Sequence, residues 1–156
     1  MRGLGRGAGL VTGGGQTRTW TPAVTQSGAP TYTSRGGWWI RIPGTRWITA
    51  SAVIIISGTS GAVANNPIAI TEPVNHSANY VGGIGGTYAI GTATLYDSSS
   101  GLVFPAHVVT GAAGSVYLLP SSSTAGILLG YTASPFGAAL AASDAIALTM
   151  TYEAAA

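Results

Sequence analysis

The stretch Ala145-Ile146-Ala147-Leu148-Thr149-Met150-Thr151-Tyr152 decides the fold class. Ile146, Leu148, Met150 and Tyr152 fall on one side, and Ala145, Ala147, Thr149 and Thr151 on the other. Large apolar against small or polar at period 2 predicts a half-buried β-strand. Asp144 bounds the pattern on one side and Glu153 on the other. A strand patterned this well needs neighbours on a sheet, so the rest of the chain is expected to fold around it.

Working back from it, Trp47 to Ser57 predicts a long β-branched strand with Ile48, Ala50, Ala52, Ile54 and Ile56 facing one way and Val53 and Ile55 the other. Thr31 to Ser34 reads as strand, Arg35-Gly36-Gly37 as a turn signal, and Trp38 to Ile42 as another strand with Trp38 inside and Trp39 outside. Short strands are expected at Pro67 to Thr71, Thr87 to Tyr96, Leu102 to Thr110, Ser115 to Leu119 and Ile127 to Thr132. In the Thr87 to Tyr96 strand, Tyr88, Ile90, Thr92, Thr94 and Tyr96 share a face. Asp97-Ser98-Ser99-Ser100-Gly101 is a hairpin turn signal. Phe136 to Ala142 can form one helical turn. Short strands with Gly, Pro and Ser punctuation predict an all-β fold, an antiparallel β-sandwich or jelly-roll-like knob over residues 20–156. No internal repeat or heptad run is present.

The 156-residue chain is the size of one domain and has no cysteine, which removes disulfide and thiol chemistry. Only 6% of its residues are charged, against about 25% in an ordinary soluble domain. So few charges protect a free monomer poorly and point to life inside an assembly or to a sticky surface module. All six arginines lie in the first 46 residues, and all four acids lie after residue 70. The net charge of +2 therefore hides a basic front and is no sign of nucleic-acid binding. No signal peptide is expected from Gly3 to Gly15, which has no compact apolar core, and no run of about 18 apolar residues predicts membrane insertion.

Residues 1–19 form a flexible Gly/Arg-rich N-terminal arm, with glycine at seven of the first 15 positions. Arg2, Arg6 and Arg18 supply charge, and Leu4, Leu10 and Val11 are spaced apolar anchors. Two readings are open: a loose tail, or an attachment arm that orders on a neighbouring subunit.

Residues that carry chemistry are sparse. His76 and His107 are isolated, no G-x-S-x-G elbow surrounds a serine, and four acids spread along the chain form no obvious carboxylate pair. No enzyme activity, cofactor or metal is expected. His76 or His107 on a symmetry axis and Asp97 in its serine turn are weaker metal alternatives to a surface histidine and an Asx-type turn. Gly82-Gly83-Ile84-Gly85-Gly86 lacks the Lys and Ser/Thr of a phosphate loop. Trp38, Trp39, Trp47, Tyr32, Tyr80 and Tyr88, interleaved with Arg35, Arg41 and Arg46, are core, subunit contact or a stacking platform. Trp39, Trp47 and Tyr80 are the candidate subunit or glycan contacts.

Trp20-Thr21-Pro22-x-Val24, then Gly36-Gly37-Trp38-Trp39-Ile40-Arg41-Ile42, then Ile68-Ala69-Ile70-x-x-Pro73, and finally Ser143-Asp144-x-Ile146-x-Leu148-x-x-x-Tyr152 resemble the small β-sandwich domains of tailed-bacteriophage virion surface proteins. Pro43, Glu72 and Ser143 depart from that pattern at individual turns. The resemblance implies a homotrimer on the exterior of a virion, in contact with capsid or tail proteins. It leaves open a head decoration (minor capsid or head-fibre) protein and a tail-fibre tip that reads host-surface carbohydrate. No shaft is encoded, so a capsid decoration anchored by the arm is the expected role.

Overall fold

The computed structural model describes residues 15–58, 61–62, 66–80, 88–120 and 139–156. The chain is all-β and antiparallel. Its strands are β1 Arg18–Trp20, β2 Val24–Thr25, β3 Thr31–Arg41, β4 Trp47–Gly58, β5 Ala69–Thr71, β6 Ala89–Asp97, β7 Leu102–Thr110, β8 Ser115–Pro120 and β9 Ala145–Glu153. They form one sheet in the order β1-β3-β4-β9-β6-β7-β8-β5-β2. Strand β9 is thus central, paired with β4 from Ala145 to Glu153 and with β6 from Ala145 to Met150. Its Ile146, Leu148, Met150 and Tyr152 are all buried, as the alternation requires, and so are Ile48, Ala50, Ala52, Ile54 and Ile56 of β4.

The sheet curls on itself. Strands β1 and β2 stand at opposite ends of the strand order, yet only Thr21, Pro22 and Ala23 connect them. So short a link spans at most about 14 Å, so the two ends of the sheet meet. Tyr32 of β3 closes the seam: its hydroxyl accepts from the Val24 amide at 2.7 Å and donates to the Val24 carbonyl at 3.2 Å. Arg35 stacks over the Tyr32 ring at 4.2 Å and donates to the Pro22 carbonyl at 3.3 Å. The two halves of the sheet therefore face each other across a single core, in sandwich fashion. That core joins β4 and β9 on one half with Ile70, Val108, Val116, Leu118 and Val24 on the other.

Four details differ from the sequence reading. First, β3 is one continuous strand through Arg35-Gly36-Gly37. Gly37 is needed for close approach rather than for a turn: a Cβ there would lie 2.4 Å from the Ser51 carbonyl oxygen and 3.0 Å from the Trp20 ring. An irregularity at Thr31–Ser34 keeps both Tyr32 and Arg35 on the inner face, opposite Ile56 and Ile54.

Second, the faces of the tryptophan pair are reversed. Trp38 lies opposite outward Ser51 and is 44% exposed, whereas Trp39 lies opposite buried Ala50 and packs against the core. Alternation separates two faces but does not say which is inner; the neighbouring strand does. Third, a register shift at Ala89–Gly91 splits the face expected for β6. Ile90, Ala93 and Leu95 are inward, while Thr92, Thr94 and Tyr96 are outward.

Fourth, the part of the helical turn expected at Phe136 to Ala142 that is described, residues 139–142, is not helical, while residues 136–138 lie outside the described residues. Arg18 and Thr19, read with the arm, are the first residues of β1, paired with Trp39 and Trp38. The strand expected at Ile127 to Thr132 lies outside the described residues.

Candidate functional site

The register of the central strands builds a continuous outer face. One row across it reads Trp38, Ser51, Thr149, Thr92, His107, and the next reads Gly36, Val53, Ala147, Thr94, Pro105. A third row reads Ser34, Ile55, Ala145, Tyr96, Val103. No Asp, Glu, Lys or Arg stands in these rows. Small side chains in the middle and larger ones at the margins leave a shallow groove of about 440 Å³ across β4, β9, β6 and β7. At the margins Trp38, Val53, Tyr96 and Val103 are 40–59% exposed. The Thr49 and Thr151 hydroxyls share a hydrogen bond of 3.1 Å across β4 and β9.

His107 belongs to this face and is exposed there. His76 sits elsewhere, between β5 and the end of β9, in a polar cluster that sequence alone did not assemble. Its backbone amide donates to Glu72 Oε2 at 3.0 Å, and its Nδ1 lies 2.7 Å from Glu72 Oε1. The Glu72 side chain is wholly buried. Tyr152 places its hydroxyl nearby, donating to the Val74 carbonyl at 2.6 Å. The segment is tied to β9 and the residues after it by Ser77 N to Glu153 O at 2.7 Å and Ala155 N to Asn75 O at 2.8 Å. This cluster is a strut that clamps a loop to the central strand.

Burial pushes the Glu72 carboxyl above its ordinary value, while the hydrogen bonds and charge of His76 pull the other way. Burial, reinforced by the nearby Glu72 carboxylate, likewise raises the Tyr152 hydroxyl. A carboxyl raised in the folded state stabilises fully below its unfolded pKa and loses that contribution as pH rises through the folded one. Glu72→Gln keeps an acceptor for the His76 amide and removes the titration. Thermal melts between about pH 4 and about pH 7 check this: the wild type loses stability relative to Glu72→Gln as pH rises. Parallel curves contradict it.

Asp97 is a turn residue. Its Oδ1 accepts from the Ser99 amide at 2.9 Å and the Ser99 hydroxyl at 2.7 Å, and its Oδ2 from the Ser100 hydroxyl at 2.8 Å. These serine donors hold its carboxyl below the ordinary aspartate value. Gly101, with φ of 70°, completes the β6–β7 hairpin. Buried Asp144 accepts from the Ser98 amide at 2.9 Å and the Ala141 amide at 2.7 Å, which locks this hairpin to the start of β9. Ser143 before it takes a φ of 71°, a conformation that glycine favours. Among the described residues no three His, Asp or Glu side chains converge on a metal-sized site. No helix among them is long and apolar enough to cross a membrane.

The aromatic residues scatter rather than forming one platform. Tyr32 and Arg35 belong to the seam, and Tyr88 packs against the core. Trp47 is 43% exposed at the start of β4, next to an ion pair between Arg46 and Glu153. Trp39 carries the Arg18 guanidinium 5.1 Å above its ring. Tyr80 is in the short 3-10 turn at Ala78–Tyr80. The arm residues Arg2, Leu4, Arg6, Leu10 and Val11, and the Gly82 to Gly86 loop, lie outside the described residues. Comparison with protein-family models, curated proteins and solved structures yields no match.

Proposed function

We propose that this chain is a structural protein of a tailed-bacteriophage particle, a trimeric knob that decorates the capsid exterior. The outer face of β4, β9, β6 and β7 is its subunit contact, and its Gly/Arg-rich N-terminal segment is its attachment device. The observation that carries this reading is the uncharged outer face. Copies of such a face meet without like-charge repulsion and without stranding a buried charge. The particle setting rests on the motif resemblance at Trp20 to Pro22, Gly36 to Ile42 and Ser143 to Tyr152. Attachment through three arms from one trimer gains about 10²–10⁴ in avidity over a single arm.

Cryo-electron microscopy of particles assembled with the full chain, without it, and with residues 2–14 deleted tests the proposal. The expected result is threefold density on the capsid exterior that appears only with the full chain. Identical capsids with and without the chain overturn it. A tail-tip receptor-binding protein is the second reading, favoured by a cationic cleft beside Trp39; density confined to the tail supports that one instead.

A further inference from the structure

We propose that the cleft between β1, β3 and the β3–β4 turn binds a sugar bearing a carboxylate, held by Arg18 and Arg41. The inference does not rest on the capsid-decoration reading, since this cleft and the outer-face groove share no lining residue; it concerns the cleft that favours the tail-tip reading. The cleft encloses about 530 Å³ and is lined by Gln16, Arg18, Trp39, Arg41, Ile42 and Pro43, with glycines at its two ends. That volume falls within the roughly 300–1,000 Å³ of small-molecule sites.

The two arginines converge through register. Arg18 lies opposite Trp39 across β1 and β3, and Arg41 is two residues further along the same strand, on the same face. Gly15 allows the incoming chain to lie against β3, since a Cβ there would fall 2.2 Å from the Arg41 carbonyl oxygen. The Trp39 ring face lies 5.1 Å from the Arg18 guanidinium carbon, a cation–π contact that restrains this side chain at the cleft. A pre-placed guanidinium loses less side-chain entropy when it takes a carboxylate in bidentate fashion.

Among the described residues Arg18, Arg35 and Arg41 have no carboxylate partner, and of these three only Arg18 and Arg41 line the cleft. Of the four arginines among the described residues, Arg46 is paired with Glu153, and Arg35 is held by Tyr32 and the Pro22 carbonyl. No acid lines the cleft with Arg18 and Arg41. An anion is therefore the complementary charge. Around the two cations the walls are uncharged. Gln16 offers an amide to hydroxyl groups, and Ile42, 43% exposed, with Pro43 offers an apolar rim to ring C–H groups. A neutral polyol body with one negative group fits this combination.

Backbone and side-chain NMR of the full chain, titrated with sodium glucuronate, glucose and sodium phosphate, tests the site. Glucuronate is expected to shift the Trp39 indole N–H and the Arg18 and Arg41 side-chain signals. Glucose is expected to leave them in place at the same concentration. Arg18→Gln and Arg41→Gln each weaken glucuronate binding at least tenfold with spectra that stay dispersed, while Arg46→Gln leaves it unchanged. No shift with glucuronate, or shifts that survive both substitutions, overturns the proposal. So does an equal response to phosphate, which marks an adventitious ion only.

Discussion

Ending the chain after Asp144 abolishes folding. Strand β9 is not an edge that can be peeled away; it lies between β4 and β6 in the middle of the sheet. Its loss leaves nine positions of β4 and six of β6 without their ladder partners. It also removes Ile146, Leu148, Met150 and Tyr152, each at most 3% exposed, from the core. Burying each such side chain is worth about 1.5–3 kcal/mol, or about 6–12 kcal/mol for four, against a typical stability of about 5–15 kcal/mol. Tyr152 further holds the Val74 carbonyl, and Glu153 holds the Ser77 amide, so the strut at Glu72 and His76 goes with the strand. Circular dichroism and thermal melting of the truncated chain check this. The expected outcome is an insoluble or non-cooperative product; a cooperative melt contradicts the central position of β9.

Thr94→Arg is expected to dissolve the trimer proposed above and spare the fold. Thr94 stands in the middle of the outer face, between Ala147 of β9 and Pro105 of β7, and its side chain is exposed in the single chain. Arginine there can extend into water in the monomer. In the proposed assembly it would place an unpaired guanidinium among uncharged side chains from each copy. Leaving such a charge buried costs about 3–5 kcal/mol, which weakens association by roughly two to three and a half orders of magnitude. The melting transition of the dissociated chain should stay cooperative, because none of the core residues is touched.

The strands with long, uninterrupted alternation were legible from sequence. In β9 and β4 every second residue is apolar, Ile146, Leu148, Met150 and Tyr152 in one and Ile48, Ala50, Ala52, Ile54 and Ile56 in the other, and every one of those positions is buried. Legibility failed where geometry broke the period. The irregularity at Gly91 moved the inner face of β6 from Ile90 to Ala93, and Gly37, read as part of a turn, admits the Trp20 ring instead. Strands β1 and β2 are three and two residues long, too short to carry a period.

The candidate sites were harder to read for the same reason. Nothing local in Trp38-Trp39 says which ring is outward; the answer comes from Ser51 and Ala50 on the next strand. The outer face exists only once four strands from distant parts of the chain are placed in register. The pairing of Arg18 with Trp39 depends on β1 joining the sheet, whereas composition alone assigned Arg18 to a flexible arm. The Glu72–His76 contact spans only four residues, yet neither residue has a neighbour in sequence that marks it as buried.

Sedimentation equilibrium of the full wild-type chain at micromolar concentration tests most directly whether the uncharged outer face is a subunit contact. A mass three times that of the single chain is the expected result, collapsing to one chain in Thr94→Arg. A wild-type chain that sediments as a monomer, or a Thr94→Arg chain that remains trimeric, contradicts it.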